Sequence, residues 1–128
     1  IGEIHLFEKE YQKALESYLK GLSIDQSQGD TFRLAGDYNM LGELYLEMDR
    51  VQEAEGFFQQ ALEVSREIDL KPEIASAYYN LGKVYNKRGG KNRYKEYMRQ
   101  AQEIYALIDP ARYQEIKEEF IQSSGPLP

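Results

Sequence analysis

The residue types that carry covalent or metal chemistry are nearly missing from this chain. It has one histidine, His5, and no cysteine, so there is no thiolate nucleophile, thiolate metal site or disulfide framework. With His5 as the sole imidazole, neither a Ser-His-acid arrangement nor a metal cluster has a credible base or ligand set. Acidic neighbours such as Glu53 and Glu55, or Glu118 and Glu119, have the types needed for paired acid/base work, but their surroundings read as solvated helix faces. Gly89, Gly90 and Lys91 resemble part of a phosphate loop. That loop needs a preceding strand and a Gly-Lys-Ser/Thr ending, and here a helix stop fits better. Eleven tyrosines invite a nucleobase-stacking reading, yet most fall on apolar stripes and belong to a core. The expectation is no catalytic residue, no metal and no cofactor.

Recognition chemistry is better represented. Tyr79, Asn80, Lys83, Asn86 and Lys87, with Ser76, share one face of a helical stretch whose packing stripe is Tyr78, Leu81 and Tyr85. Forty residues upstream the same places hold Asn39, Met40, Glu43, Leu46 and Glu47, with Gly36. A surface of this mixed polar, aromatic and charged kind suits peptide recognition. Lys83 and Lys87 lie four residues apart, as do Glu43 and Glu47, so one helix offers ammonium groups and the other carboxylates. Tyr79 stands between the two sets as the expected aromatic anchor.

These faces need elements to hold them, and the elements repeat. In YYNLGKVY, Tyr78, Leu81, Gly82 and Tyr85 reproduce Tyr38, Leu41, Gly42 and Tyr45 at a spacing of forty residues. Ile1, Gly2 and His5 hold the Leu, Gly and Tyr places forty residues earlier still, so the sequence opens inside a third copy, and a fragment of a longer solenoid is expected. A glycine inside a helix costs about 1 kcal/mol relative to alanine. Its return in one register marks a place where a second helix comes too close for a side chain.

The remaining stretches are amphipathic helices. Tyr11, Ala14, Leu15, Tyr18, Leu19 and Leu22 follow 3,4 spacing in a helix expected from Glu10 to Asp25. Ser27, Gly29 and Asp30 form a break and an N-cap. Further helices are expected over 31–48, 51–68, 73–88, 92–108 and from Pro110 to about Ser123, with Asp109 as the last N-cap. Each stripe needs a partner, so successive helices must pair antiparallel and the pairs must stack.

Composition bounds the partners. The chain has 128 residues, 41% hydrophobic and 30% charged, with a net charge of −6. That balance argues against general nucleic-acid affinity, which needs a basic surface. Residues 1–82 carry −9, residues 83–99 carry +6 and residues 100–128 carry −3, so one basic block sits in an acidic chain. No apolar run approaches the length of a membrane span. A soluble, cytoplasmic protein with no nucleic-acid or membrane partner is expected.

With these residues in hand, the chain resembles the tetratricopeptide repeat (TPR) family, whose pattern is aromatic, Leu-Gly, Tyr, then Ala, an aromatic and a second Ala. Copy two has Tyr38, Leu41, Gly42, Tyr45, Ala54, Phe58 and Ala61 in every place. Copy one supplies Gly2, Ala14, Tyr18 and Gly21, and copy three Tyr78, Leu81, Gly82, Tyr85, Met98 and Ala101. The forty-residue period is similar to the longer-helix subgroup of Leu-Gly-Asn adaptors and kinesin light chains. Tyr94 departs from the pattern, standing where Ala54 stands in copy two.

The resemblance implies an all-α solenoid of antiparallel helix pairs in a right-handed superhelix. It divides the chain into three pairs over residues 1–108, the first truncated, a capping helix over 109–123 and a tail over 124–128. It also implies a non-catalytic module that binds a protein or peptide segment in a concave groove lined by Asn39, Glu43, Glu47, Tyr79, Asn80, Lys83, Asn86 and Lys87. The alternative is a structural, regulatory or self-associating arm of a larger protein, associating through its N-terminal edge. Tyr94 is expected to widen its pair or to swing outward.

Overall fold

The structure is a computed structural model that describes residues 2–124, and the side chains of residues 8–122. Within that range the chain is six α-helices: α1 (Gly2–Gln28), α2 (Thr31–Glu47), α3 (Val51–Glu67), α4 (Lys71–Lys87), α5 (Lys91–Ile108) and α6 (Pro110–Ser124). No strand occurs among the described residues. Neighbours in sequence pack on one another, and α2 also meets α4. This is an α-solenoid.

The turns follow a period of twenty residues. Positive φ occurs at Gly29, Asp49, Asp69 and Gly89, at 65°, 60°, 51° and 80°. At each turn the next residue's N–H reaches back five places: Asp30 to the Asp25 carbonyl, Arg50 to Tyr45, Leu70 to Ser65 and Gly90 to Tyr85, at 2.8–3.1 Å. This is the Schellman ending, which satisfies carbonyls that the helix leaves free. Three turn residues follow each 17-residue helix in α2, α3 and α4. The forty-residue repeat is therefore two equal halves. Asp30 caps α2 by accepting from the Arg33 N–H, and Asp109 caps α6 by accepting from the Arg112 N–H, as the sequence predicts.

One expected turn is missing. The spacing predicts a helix that starts at Glu10, yet α1 runs from Gly2 to Gln28 without interruption. The twenty-residue period puts the left-handed position at Lys9. A residue with a Cβ pays to enter that region, and lysine lacks the short polar side chain that lets aspartate do so at Asp49 and Asp69. The helix therefore continues.

The core runs through the stack. Leu41, Phe58, Leu81 and Val84 are fully buried, with Ala35, Ala54, Ala61, Ala75, Ala77 and Ala101 lining the close helix approaches. A Cβ on Gly42 would stand within 2.8 Å of three Phe58 ring atoms, and one on Gly82 would stand 2.8 Å from the Met98 methyl. The small residue of each pair thus faces the aromatic or Met place of its partner helix. Tyr94 is not the side chain that meets Gly82, and its ring lies against α6. The α4–α5 pair packs as extensively as α2–α3, and the Tyr94 ring is buried and stacks on Phe120 of α6 with centroids 5.6 Å apart.

On its outer side α6 is charged. On its inner side Ile116 is fully buried, and Tyr113 and Phe120 lie against the core. Of the expected tail, residues 125–128 lie outside the described residues, as do the side chains of the apolar N-terminal stretch over 1–7.

Candidate functional site

A cleft of about 720 Å³ has walls from α2, α4, α5 and α6. The first wall is α2, with Glu43, Leu46 and Glu47, and the second is α4, with Ser76, Tyr79, Asn80, Lys83, Asn86 and Lys87. Tyr94, Met98 and Tyr105 of α5 form the floor, and Arg112 and Glu119 of α6 close the far side. Its volume lies within the usual range for ligand sites, about 300 to 1,000 Å³.

Helical periodicity explains why these side chains converge. Positions 76, 79, 80, 83, 86 and 87 recur at intervals of three and four residues and so share one face of α4. The opposite face carries Tyr78, Leu81 and Val84 into the core. Stacking of pairs then sets Glu43 and Glu47 beside that face.

Seven of the eight residues singled out in the sequence come together here. Asn39 does not. It is buried on α2, where its amide donates to the Glu73 carbonyl at 3.2 Å and to the Glu73 carboxylate at 2.8 Å, tying α2 to the first turn of α4. Asn80 lines the cleft but is itself buried and donates to Glu43 Oε1 at 3.2 Å, a second tie between the same helices. The Lys87 ammonium sits 3.5 Å from Asp49 Oδ1.

Tyr79 occupies a different role from the free aromatic anchor that its position implied. It is only 7% exposed. Its hydroxyl donates to both oxygens of Glu119, at 2.8 and 2.6 Å. The Arg112 guanidinium lies 4.6 Å from the ring centroid and the Lys83 ammonium 4.9 Å, both at cation–π distance. Burial, followed by the Glu119 carboxylate, pushes the phenol up to about 12, with Arg112 opposing. Tyr79 is therefore the joint between α4 and α6, whose Cα atoms stay more than 8 Å apart. Sequence reasoning missed Arg112 and Glu119 because α6 does not repeat the pattern of the earlier helices. Their one signal was the forty-residue spacing from Tyr79 to Glu119.

A second polar joint, outside the cleft, ties α3 to the end of α4. The Tyr85 hydroxyl and Arg88 both donate to Glu55. Burial raises the Glu55 carboxyl, but those two hydrogen bonds outweigh it and hold it below the usual range. Two of the charged cleft groups are without an ion pair, although Lys83 keeps its contact with the Tyr79 ring. Among the described residues, neither Lys83 nor Glu47 has an ion-pair partner. No group of three His, Cys, Asp or Glu residues suited to a metal occurs among the described residues, and no helix there is long and apolar enough to cross a membrane.

Residues 32–106 match a family profile described as tetratricopeptide repeat, and residues 1–28 match a second profile of that description. The chain belongs to the tetratricopeptide repeat family. The crystal structure of BtubC (BKLC) from P. vanneervenii superposes with a TM-score of 0.83 at 24% identity, over 94% of this chain and 50% of that one. The chain spans half the length of that neighbour, and the likeness speaks for the fold. No curated protein matches. Tetratricopeptide repeats are protein–protein interaction modules, and this TPR chain is one by family.

Proposed function

We propose that the cleft between α2, α4 and α6 binds an extended or helical protein segment without catalysis, as a scaffold contact. The observation that carries this reading is the cleft itself, with charge of opposite sign on its two walls and with Lys83 and Glu47 free of ion pairs. A ligand lying across it gains carboxylate contacts at Lys83 and Lys87 and basic contacts at Glu43 and Glu47. Such complementarity sets orientation and encounter rate more than raw affinity. A cytoplasmic setting, with no nucleic-acid or membrane partner, accords with the net charge of −6.

The test is a peptide-display selection on the intact chain, followed by paired reversal of Lys83→Glu and Lys87→Glu. Selected peptides should carry acidic residues, and the reversal should weaken binding about tenfold, or 1.4 kcal/mol, and flatten its salt dependence. Unchanged affinity with the helical fold intact defeats the groove assignment. A second reading, self-association through the N-terminal edge as an arm of a larger assembly, is favoured by one observation: Tyr18, Leu19 and Ile24 of α1 are exposed.

A further inference from the structure

One repeat position ties each first helix to the next. Asn39 of α2 donates to Glu73 of α4, and Tyr79, forty residues on, donates to Glu119 of α6. The two junctions close to different degrees. Between α2 and α4 the backbones meet, and a second bond runs back from Asn80 to Glu43. Between α4 and α6 the Cα atoms stay more than 8 Å apart, and the places corresponding to Asn80 and Glu43 hold Phe120 and Lys83. Phe120 turns instead to the Tyr94 ring of α5. Lys83 is thereby left without the partner that its counterpart Glu43 has.

A one-residue elbow at Asp109 carries α6 into this position, where three residues part α4 from α5. The gap that results belongs to the cleft and is lined by Tyr79, Lys83, Arg112 and Glu119. Glu119 is exposed and takes the Tyr79 hydroxyl, while Arg112 pairs with Glu115 rather than with it. A carboxylate arriving from solvent finds more than Glu119 has. It meets the same hydroxyl and, beside it, the Lys83 ammonium, which lies 4.9 Å from the Tyr79 ring centroid and has no ion pair. Hydrogen bonds to ionised groups are roughly twice as strong as neutral ones, so a second one at Lys83 favours the incoming group.

We propose that Glu119 is an internal competitor for the cleft: its contact with Tyr79 latches α6 over a carboxylate seat made by Tyr79 and Lys83, and an acidic side chain of the partner segment takes that seat by displacing Glu119. The last turns of α6 then loosen when the cleft fills, while the fully buried Ile116 keeps the middle of the helix on the stack. This proposal rests on the cleft-binding reading and adds the regulation of that site. A latch closed about nine-tenths of the time lowers apparent affinity about tenfold, because only the open fraction binds.

The probe is the tightest acidic peptide from the display selection, labelled with fluorescein and titrated by anisotropy against the intact chain. Glu119→Gln keeps the size of the side chain and removes its charge, and it should bind the peptide about tenfold more tightly with helicity retained. Glu118→Gln, at a neighbouring exposed carboxylate bonded to Gln114 within α6, should not. In a Tyr79→Phe background Glu119→Gln should bring no gain, since the contested hydroxyl is gone. Amide exchange in the last turns of α6 should speed up when the parent chain binds the peptide. Equal affinity for the parent and Glu119→Gln, with binding still dependent on Lys83, overturns the latch and leaves the cleft reading standing. An equal gain from Glu118→Gln, which reports net charge alone, does the same, as does unchanged or greater protection of α6 in the bound chain. A selection that yields no acidic peptide, or one whose peptide binds without Lys83, overturns the cleft reading and the latch together.

Discussion

Gly42 and Gly82 hold the same place in two repeats, yet the groups they face differ in stiffness. The Gly42 Cβ position is blocked by a fully buried phenyl ring, and a ring in a packed core has no low-cost way to yield. The Gly82 position is blocked by the end of Met98, which has three rotatable bonds and re-packs readily. An alanine at either site gains about 1 kcal/mol of helix propensity, while overpacking costs about 1 to 3 kcal/mol. Gly42→Ala should therefore destabilise by about 1 to 2 kcal/mol, and Gly82→Ala should stay within about 1 kcal/mol of the parent. Denaturant melts of the two variants decide it. Equal losses would show that the partner's flexibility is irrelevant, and adding Phe58→Met to Gly42→Ala should recover part of the loss.

At the scale of elements, the packing of α1 on α2 includes a carboxyl pair. Asp25 of α1 is buried, and Asp37 of α2 lies beside it with its Oδ2 buried and without a hydrogen-bond partner. Burial, then the neighbouring Asp25 and the charge of Asp30, raises Asp37 to about 6, while Arg33 opposes. Since the folded state binds this proton more tightly than the unfolded chain, the contribution is fully present below the ordinary value of 3.8 and is lost as pH rises through about 6. Thermal stability should fall between about pH 4 and about pH 6 through this pair, and Asp37→Asn should remove that part of the fall. The Glu55 carboxyl works in the opposite sense, losing its contribution as pH falls. Parallel pH profiles for the parent and the Asp37→Asn variant would refute the assignment.

The elements also show what a sequence discloses. Turn chemistry at Gly29, Asp30, Gly89, Gly90 and Asp109 was explicit, and so were the stripes of every helix, because local propensity and tertiary packing agree there. The straight course of α1 was also written in the chain, at Lys9. It was obscured because the repeat register argued for a turn there that the residue itself opposes. The cleft was legible on α2 and α4, whose faces recur at forty residues. Its closure by Arg112 and Glu119 was not, since α6 lacks the pattern of the earlier helices and the forty-residue step from Tyr79 to Glu119 does not by itself mark a contact. Tyr79 and Asn39 show the same limit. A polar residue on the expected face can be consumed by a neighbouring helix, and one sequence says nothing of which.

For the whole molecule, a linear stack is only as cooperative as its internal interfaces. α2 to α5 each have packed neighbours on two sides, whereas the backbone of α1 approaches α2 alone and that of α6 approaches α5 alone, with side-chain ties from α6 to α4. Stability in such arrays is approximately a sum of unit and nearest-neighbour contributions, so opening should begin at the ends. Amide exchange should be slowest in α3 and α4 and fastest in α1, with α6 between them because Ile116 and the Tyr79–Glu119 joint anchor it. Uniform protection along the chain would mean that the stack opens as one unit.

Equal helix lengths have an electrical consequence. Helices of 17 residues span about 26 Å, so alternate turns line up along two opposite rims of the stack. The +6 block of residues 83–99 straddles the turn at Gly89 and doubles back on itself, which packs Lys87, Arg88, Lys91, Arg93 and Lys95 into one corner rather than along a rod. A chain with an overall negative charge thereby acquires a positive corner, reduced where Lys87 and Arg88 pair with Asp49 and Glu55. A charged surface would exert a torque on such a body before touching it, so the molecule arrives already turned, basic corner first toward anything acidic.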